Sequence, residues 1–221
     1  GSSDHTSSGP SRESGAVRVM TTGIQLTDDT IKRLNKLGAK MTTKPNDCTH
    51  LVTKGIVRTE KFLCAIACSP FVLTEGWVNS SVQAGKLLPE TDFLISDPES
   101  ERKWNFKLST SLERAKREDC GEGLLKGMSF YVTPKVDIDL KLLKAVVASA
   151  GGQIQTAKPT VRILKANENR HVISCPADQS IWRPLVEDGY TIYSTELILL
   201  AVLAQEIRWK DDNCISCKPS S

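Results

Sequence analysis

Val17-Arg-Val-Met-Thr-Thr22 alternates in the manner of a half-buried strand and runs directly into Gly23. A second strand-like run, Ser129-Phe-Tyr-Val-Thr133, runs into Pro134. The residues after each run are also alike. After the first, Thr27-Asp-Asp supplies a helix cap and an acidic first turn, Ile31, Leu34 and Leu37 share one face, and Gly38 stops the helix. After the second, Leu140, Leu143, Val147 and Ala150 mark a helix stopped by Gly151-Gly152. The chain therefore repeats itself, and the repeat decides the fold.

The remaining units recur in the same order. The first copy continues with Ala39-Lys-Met, a turn at Pro45-Asn-Asp, a strand His50-Leu-Val-Thr53 and a helix near Thr59 to Cys68. It closes with a strand Phe71-Val-Leu73 and a helix near Glu75 to Ala84. The second copy continues with Gln153-Ile-Gln-Thr, an insertion to about Arg170, and a strand His171-Val-Ile-Ser174. A Pro184-interrupted segment, Thr191-Ile-Tyr-Ser194 and a helix Thr195 to Glu206 complete it. Strands alternating with helices in the order βαββαβα predict an α/β fold of two tandem domains, each a small four-stranded parallel sheet flanked by helices. The expected boundaries are 16–96 for the first domain, 97–126 for a linker helix with an apolar stripe at Trp104, Phe106, Leu108 and Leu112, and 127–213 for the second. Residues 1–15, rich in Ser and Gly, read as a disordered tail or added scar, and 214–221 as a second tail. A cleft between docked copies is the natural seat for an extended ligand.

Composition limits the function classes. At 221 residues the chain is long enough for one large or two small domains, and no apolar run approaches a membrane span, so no membrane partner is expected. The 29 basic against 26 acidic residues leave a net charge of only +3, so an anion site must be local. Seven cysteines at irregular spacings with no signal segment read as reduced thiols in a cytosolic or nuclear protein, without disulfides. Cys214-Ile-Ser-Cys217 is the one C-x-x-C, and His5, His50 and His171 are widely separated, so no structural metal is expected. His50 and His171 stand in corresponding places of the two copies, which argues for scaffold roles. The chain has no P-loop, no G-x-S-x-G, no H-E-x-x-H and no magnesium-holding acidic cluster, and Gly121-Glu-Gly123 is too short to cradle a nucleotide. These features predict neither an enzyme nor a cofactor.

Taken together, Thr22-Gly23, the Gly38 stop, Thr49-His-Leu-Val52, Arg58-Thr-Glu-Lys-Phe-Leu-Cys-Ala65 and Trp77 with Gly85 resemble one known family. Tyr131-Val-Thr-Pro134, Ala150-Gly-Gly152 and His171-Val-Ile-Ser-Cys175 carry the likeness into the second copy. The chain is similar to the tandem BRCT (breast-cancer C-terminal) repeats of DNA-damage mediators and adaptors, over nearly all of 16–213. It departs at Leu197, which stands in the place of the family's signature Trp.

Thr22 and Gly23 end a strand where a hydroxyl and an unhindered N–H can face one small anion, and Lys61 lies in the first turn of a helix. A phosphoserine, with about −1.5 to −2 charges and three acceptor oxygens, matches that set. The plainer alternative is a turn cap at Thr22 and a solvated Lys61; the family likeness favours the phosphate pocket. In the second copy Thr133 aligns with Thr22, but Pro134 has no N–H to donate, so one phosphate site per pair is expected. Arg58 has the planar fork that suits a carboxylate, with pairing to Glu60 or Asp47 as the alternative. The resemblance implies that Arg58 grips the terminal carboxylate of a phosphorylated histone two-A tail, or that of its X variant, in chromatin of the nucleus. Thr59, Pro134 and Lys135 are the expected cleft-lining residues. Direct DNA contact through Arg114-Ala-Lys-Arg117, Lys141, Lys144 and Lys165 is the less favoured reading, because intervening acids suit a solvated helix face.

Overall fold

The computed structural model describes residues 15–116, 122–210 and 213–216. The expected tail to residue 14, linker residues Arg117 to Gly121, and Cys217 with the four residues after it lie outside them. In the first copy β1 (Val17–Thr22), β2 (Ala39–Met41), β3 (His50–Thr53) and β4 (Phe71–Leu73) form a parallel sheet in the order β2-β1-β3-β4. In the second, β5 (Ser129–Val132), β6 (Gln153–Gln155), β7 (Arg170–Ile173) and β8 (Ile192–Tyr193) repeat that order as β6-β5-β7-β8.

The helices follow their sequence signals. Thr27 caps α1 (Asp28–Lys36) by accepting from the Thr30 N–H, and Thr59 caps α2 (Glu60–Ile66) by accepting from the Phe62 N–H. After α3 (Glu75–Ala84) the linker departs from expectation: it holds two short helices, α4 (Pro98–Lys103) and α5 (Leu108–Ala115). Asn105, at φ +49, turns the chain between them. The second copy adds α6 (Leu140–Ser149), α7 (Val161–Lys165) inside the insertion, α8 (Gln179–Glu187) and α9 (Glu196–Ala204). Pro184 does not interrupt α8; it lies on the exposed face, where the carbonyl left without its N–H can meet water.

Alternation along β1 sends Val19 to one side of the sheet, with Leu34, Trp77 and Val78, and Met20 to the other. On Met20's side lies α2, whose Phe62 to Ile66 are all buried. It packs against α6 and α9 with α5 alongside, so that one apolar cluster takes in Leu51, Phe62 and Leu63 with Leu143, Val147, Leu199 and Val202. The two copies thus share a core, and their relative placement follows from apolar burial.

Residues expected to form a tail instead complete the second sheet. Cys214 bridges Tyr193 antiparallel as Leu94 bridges Leu73 in the first copy, Ile215 N–H donates to the Ile192 carbonyl, and Ile215 packs on the core beside Trp182 and Tyr190. The expectation of no disulfides also fails: Cys214, on this docked segment, is disulfide-bonded. Gly121-Glu-Gly123 is explained by backbone packing at its described end. A Cβ on Gly123 would meet the Ala150 carbonyl oxygen at 2.2 Å, and one on Gly151 would meet that of Glu122 at 2.0 Å. Among the described residues no helix is long and apolar enough to cross a membrane.

Candidate functional site

Parallel pairing sets Thr22 beside Thr53 at the C-terminal edge of the first sheet, the edge at which α/β proteins place ligands. Thr22 is 7% exposed, and its Oγ1 lies 3.3 Å from Oγ1 of Thr59, the cap of α2. Gly23 follows at φ +68, a conformation other residues rarely take, with open space where a Cβ would point. Lys61, the second residue of α2, is exposed. Strand end and helix start are therefore joined through two hydroxyls, with the exposed Gly23 directly after Thr22 and the exposed Lys61 two residues after Thr59.

Arg58 lies just before that cap, and its partner is neither Glu60 nor Asp47. Its two terminal nitrogens donate to the two oxygens of Glu196, at 2.6 and 3.0 Å, in a bidentate pair with the first residue of α9. Its guanidinium also lies over the Trp104 ring, 5.1 Å from the centroid. Of the five guanidinium N–H groups, Glu196 takes one from each terminal nitrogen, which leaves three. Neither Glu196 nor Trp104 was singled out from sequence for this site; 138 residues separate Arg58 from Glu196.

The corresponding place in the second copy is occupied by the protein itself. Thr133, the equivalent of Thr22, shares a hydrogen bond with Ser174 at 2.6 Å, and Asp178 stands before α8 as Thr59 stands before α2. The buried Asp178 carboxylate accepts from the Lys135 N–H at 2.8 Å and from the Cys175 thiol at 3.7 Å. Burial pushes its carboxyl up, but hydrogen bonds from the Thr133 hydroxyl, Lys135 N–H and Cys175, with the Lys135 charge, hold it below the ordinary value. An internal carboxylate thus sits where an anion would be sought. Pro134 lines a cavity of about 210 Å³ with Thr133, Val136, Ile138 and Leu140, and the Lys135 N–H is taken by Asp178.

His50 is scaffold, as its repetition suggested. It pairs with Thr49 Oγ1 and Glu90 Oε1, both at 2.8 Å, and stacks on Trp77 at 4.9 Å. His171 packs on Phe130 and Trp209, and burial pushes its pKa down. Burial likewise pushes the Cys48 thiol up to about 11 and raises that of Cys64, which keeps both as inert apolar groups. Among the described residues no cluster of three or more His, Cys, Asp or Glu side chains can hold a metal.

Comparison with known proteins is consistent across the chain. The BRCT domain model of regulator of Ty1 transposition protein 107 matches residues 2–95, and a general BRCT domain model matches 123–211. PAX-interacting protein 1 of Bos taurus is 31% identical over 186 residues, covering 81% of this chain and 18% of that protein. Mediator of DNA damage checkpoint protein 1 of Rattus norvegicus is 33% identical over 198 residues, covering 89% of this chain and 15% of that protein. The chain therefore spans less than a fifth of either relative. The S. pombe Brc1 BRCT5-BRCT6 domains superpose with a TM-score of 0.79 at 30% identity, covering 87% of this chain and 94% of that one. Rtt107p, in a complex structure with phosphorylated histone two-A, superposes at 0.68 with 14% identity, covering 93% of this chain and 94% of that one, a likeness of fold.

Proposed function

The chain belongs to the BRCT family as a tandem pair, and from that premise we propose that it is a non-catalytic phosphopeptide-binding module whose first copy holds a phosphoserine. The Thr22 hydroxyl, the Gly23 N–H and the Lys61 ammonium are the phosphate ligands, with Thr59 at the rim. Arg58 presents its remaining N–H donors to the peptide's free C-terminal carboxylate. The peptide is the phosphorylated histone two-A tail or that of its X variant, read in the nucleus at damaged chromatin to recruit the parent protein. The observation that carries this reading is the contrast between copies. The same strand-end and helix-start geometry is open and lysine-flanked at Thr22 and Thr59, but self-filled by a carboxylate at Thr133 and Asp178. The fold-level likeness to Rtt107p, whose complex contains phosphorylated histone two-A, supports the ligand class.

A second reading is favoured by one observation: Arg58 is already engaged by Glu196. On that reading the ligand is an internal phosphoserine motif, and Arg58 meets its backbone. A titration separates the two. A fluorescent peptide ending in phospho-Ser-Gln-Glu-hydrophobic-COOH is compared with dephosphorylated and C-terminally amidated forms, against wild type and Lys61→Met. Loss of a charged hydrogen bond costs about 1.5–3 kcal/mol, so Lys61→Met should weaken binding about tenfold to a few hundredfold. Equal binding of the acid and amide forms selects the internal motif. Binding indifferent to phosphate and to Lys61 refutes both.

A further inference from the structure

The loop between β3 and α2 that carries Arg58 is gripped by both ends of one linker helix. At its start, the Asp97 carboxylate accepts from the Ile56 N–H at 2.9 Å while capping α4 through the Ser100 N–H at 3.2 Å. At its end, the Trp104 ring lies under the Arg58 guanidinium and is also approached by Lys103 Nζ, each 5.1 Å from the centroid. The turn that carries Trp104 is itself clamped. Arg208, beyond α9, donates one guanidinium nitrogen to the Trp104 carbonyl at 2.9 Å and the other to the Asn105 carbonyl. Asn105 holds the left-handed conformation that ends α4.

These contacts have a common geometric result. A flat aromatic face restricts a planar guanidinium to lie against it, and Glu196 then fixes the rotation within that plane by taking two N–H groups. Of the three unused donors, the Nε N–H and one N–H of a terminal nitrogen share one edge, the pair a second carboxylate could take, while the third faces the opposite side. The Arg58 side chain is 24% exposed, so it is not sealed from a ligand. Without the ring, Glu196 still draws the guanidinium but leaves its plane free, and a second bidentate carboxylate requires the plane to be set.

We infer that Trp104 is a positioning residue for Arg58, and that the linker therefore sets the preference for a free C-terminal carboxylate. The inference rests on the phosphopeptide reading of the first copy. Its readout is the ratio of affinities for the acid and amide forms of the phosphopeptide, which a merely structural role for Trp104 leaves unchanged. Trp104→Leu keeps the apolar packing and removes the aromatic face. It should lower the acid-to-amide ratio about three- to tenfold while phosphate dependence and the Lys61→Met effect persist. Trp104→Phe, which keeps a face, should recover most of the ratio. Arg208→Ala, which leaves the ring but frees its turn, should lower it by a smaller factor and provides the test if the leucine variant does not fold. A Trp104→Leu protein with the wild-type ratio overturns the inference, as does a wild type that binds the acid and amide phosphopeptides equally. A wild type indifferent to phosphate overturns instead the reading on which the inference rests.

Discussion

Asp178 offers a direct measure of how strongly the second copy binds its own anion. In the folded chain its carboxylate accepts from the Thr133 hydroxyl, the Lys135 N–H at 2.8 Å and, weakly, the Cys175 thiol at 3.7 Å. Hydrogen bonds to a charged acceptor contribute about 1.5–3 kcal/mol each, against about 1 kcal/mol for neutral pairs. Asp178→Asn keeps the shape and one acceptor oxygen for the Lys135 N–H but loses the charge and turns the other oxygen into an NH2 donor, so it should cost about 1–2 kcal/mol. Asp178→Ala removes both strong partnerships, but Thr133 keeps Ser174 and the exposed Lys135 segment regains water, so about 2–4 kcal/mol is expected. The pH dependence has a defined sign. The folded carboxyl titrates below its ordinary value, so its ionised form stabilises the fold at neutral pH, and that contribution is lost as pH falls through the folded value. Urea denaturation of wild type and Asp178→Asn should show their difference fully present at about pH 7 and shrinking below about pH 4. A difference that stays constant across that range, or no difference at neutral pH, would refute the charged hydrogen-bond account.

Other positions give shorter tests. Gly151→Ala places a Cβ 2.0 Å from the Glu122 carbonyl oxygen at positive φ, so it should destabilise the fold by more than about 2 kcal/mol, read as a lowered Tm. Ending the chain at residue 212 removes the bridge to β8 and the packing of Ile215, and should cost about 2–3 kcal/mol in urea denaturation of the second copy. Trp209→Ala removes the ring packed, tilted, against His171 at 4.6 Å and should cost about 3 kcal/mol in the same assay.

The fold was legible because its signals are local. Each strand and helix announces itself through its own period, cap and stop, and the repetition of the whole series set the topology. The linker break and the docked segment at 213–216 were not legible, since each depends on meeting a distant partner. The same division explains Leu197. Strand pairing sets Trp77 four residues beyond Leu73 and Leu197 four beyond Tyr193, so the leucine does occupy the tryptophan's place. Yet the second copy still sets a tryptophan against its histidine: Trp209, from beyond α9, lies 4.6 Å from His171 in a tilted pair, where Trp77 stacks on His50 at 4.9 Å. A ring reassigned to another part of the chain leaves no trace in spacing. At the site, Thr22, Gly23 and Lys61 could be singled out because each marks the end or start of an element. Glu196 and Trp104 could not, because nothing in one dimension pairs them with Arg58.

Besides Pro134 for Gly23 and Ser180 for Lys61, the copies differ in the residue just before the helix, and that difference is testable in the first copy. Thr59 and Asp178 both precede the helix that faces the strand end, one neutral and one anionic. Aspartate caps helices about as well as threonine, so Thr59→Asp should leave the stability of α2 within about 1 kcal/mol of wild type. It would, however, put a carboxylate next to the Thr22 hydroxyl, now 3.3 Å from Oγ1 of Thr59. A phosphate bound at Thr22 would then lie within hydrogen-bonding range of that negative charge. Two unit charges about 4 Å apart repel by about 1 kcal/mol in water and about 4 kcal/mol near a protein surface, and a phosphate carries nearly two. Phosphopeptide affinity should therefore fall at least about tenfold in Thr59→Asp and remain near wild type in Thr59→Ser, with the stability of both variants within about 1 kcal/mol of wild type. A Thr59→Asp protein that binds the phosphopeptide as tightly as wild type would place the phosphate elsewhere, and the Asp178 carboxylate would then be no argument against a phosphate in the second copy.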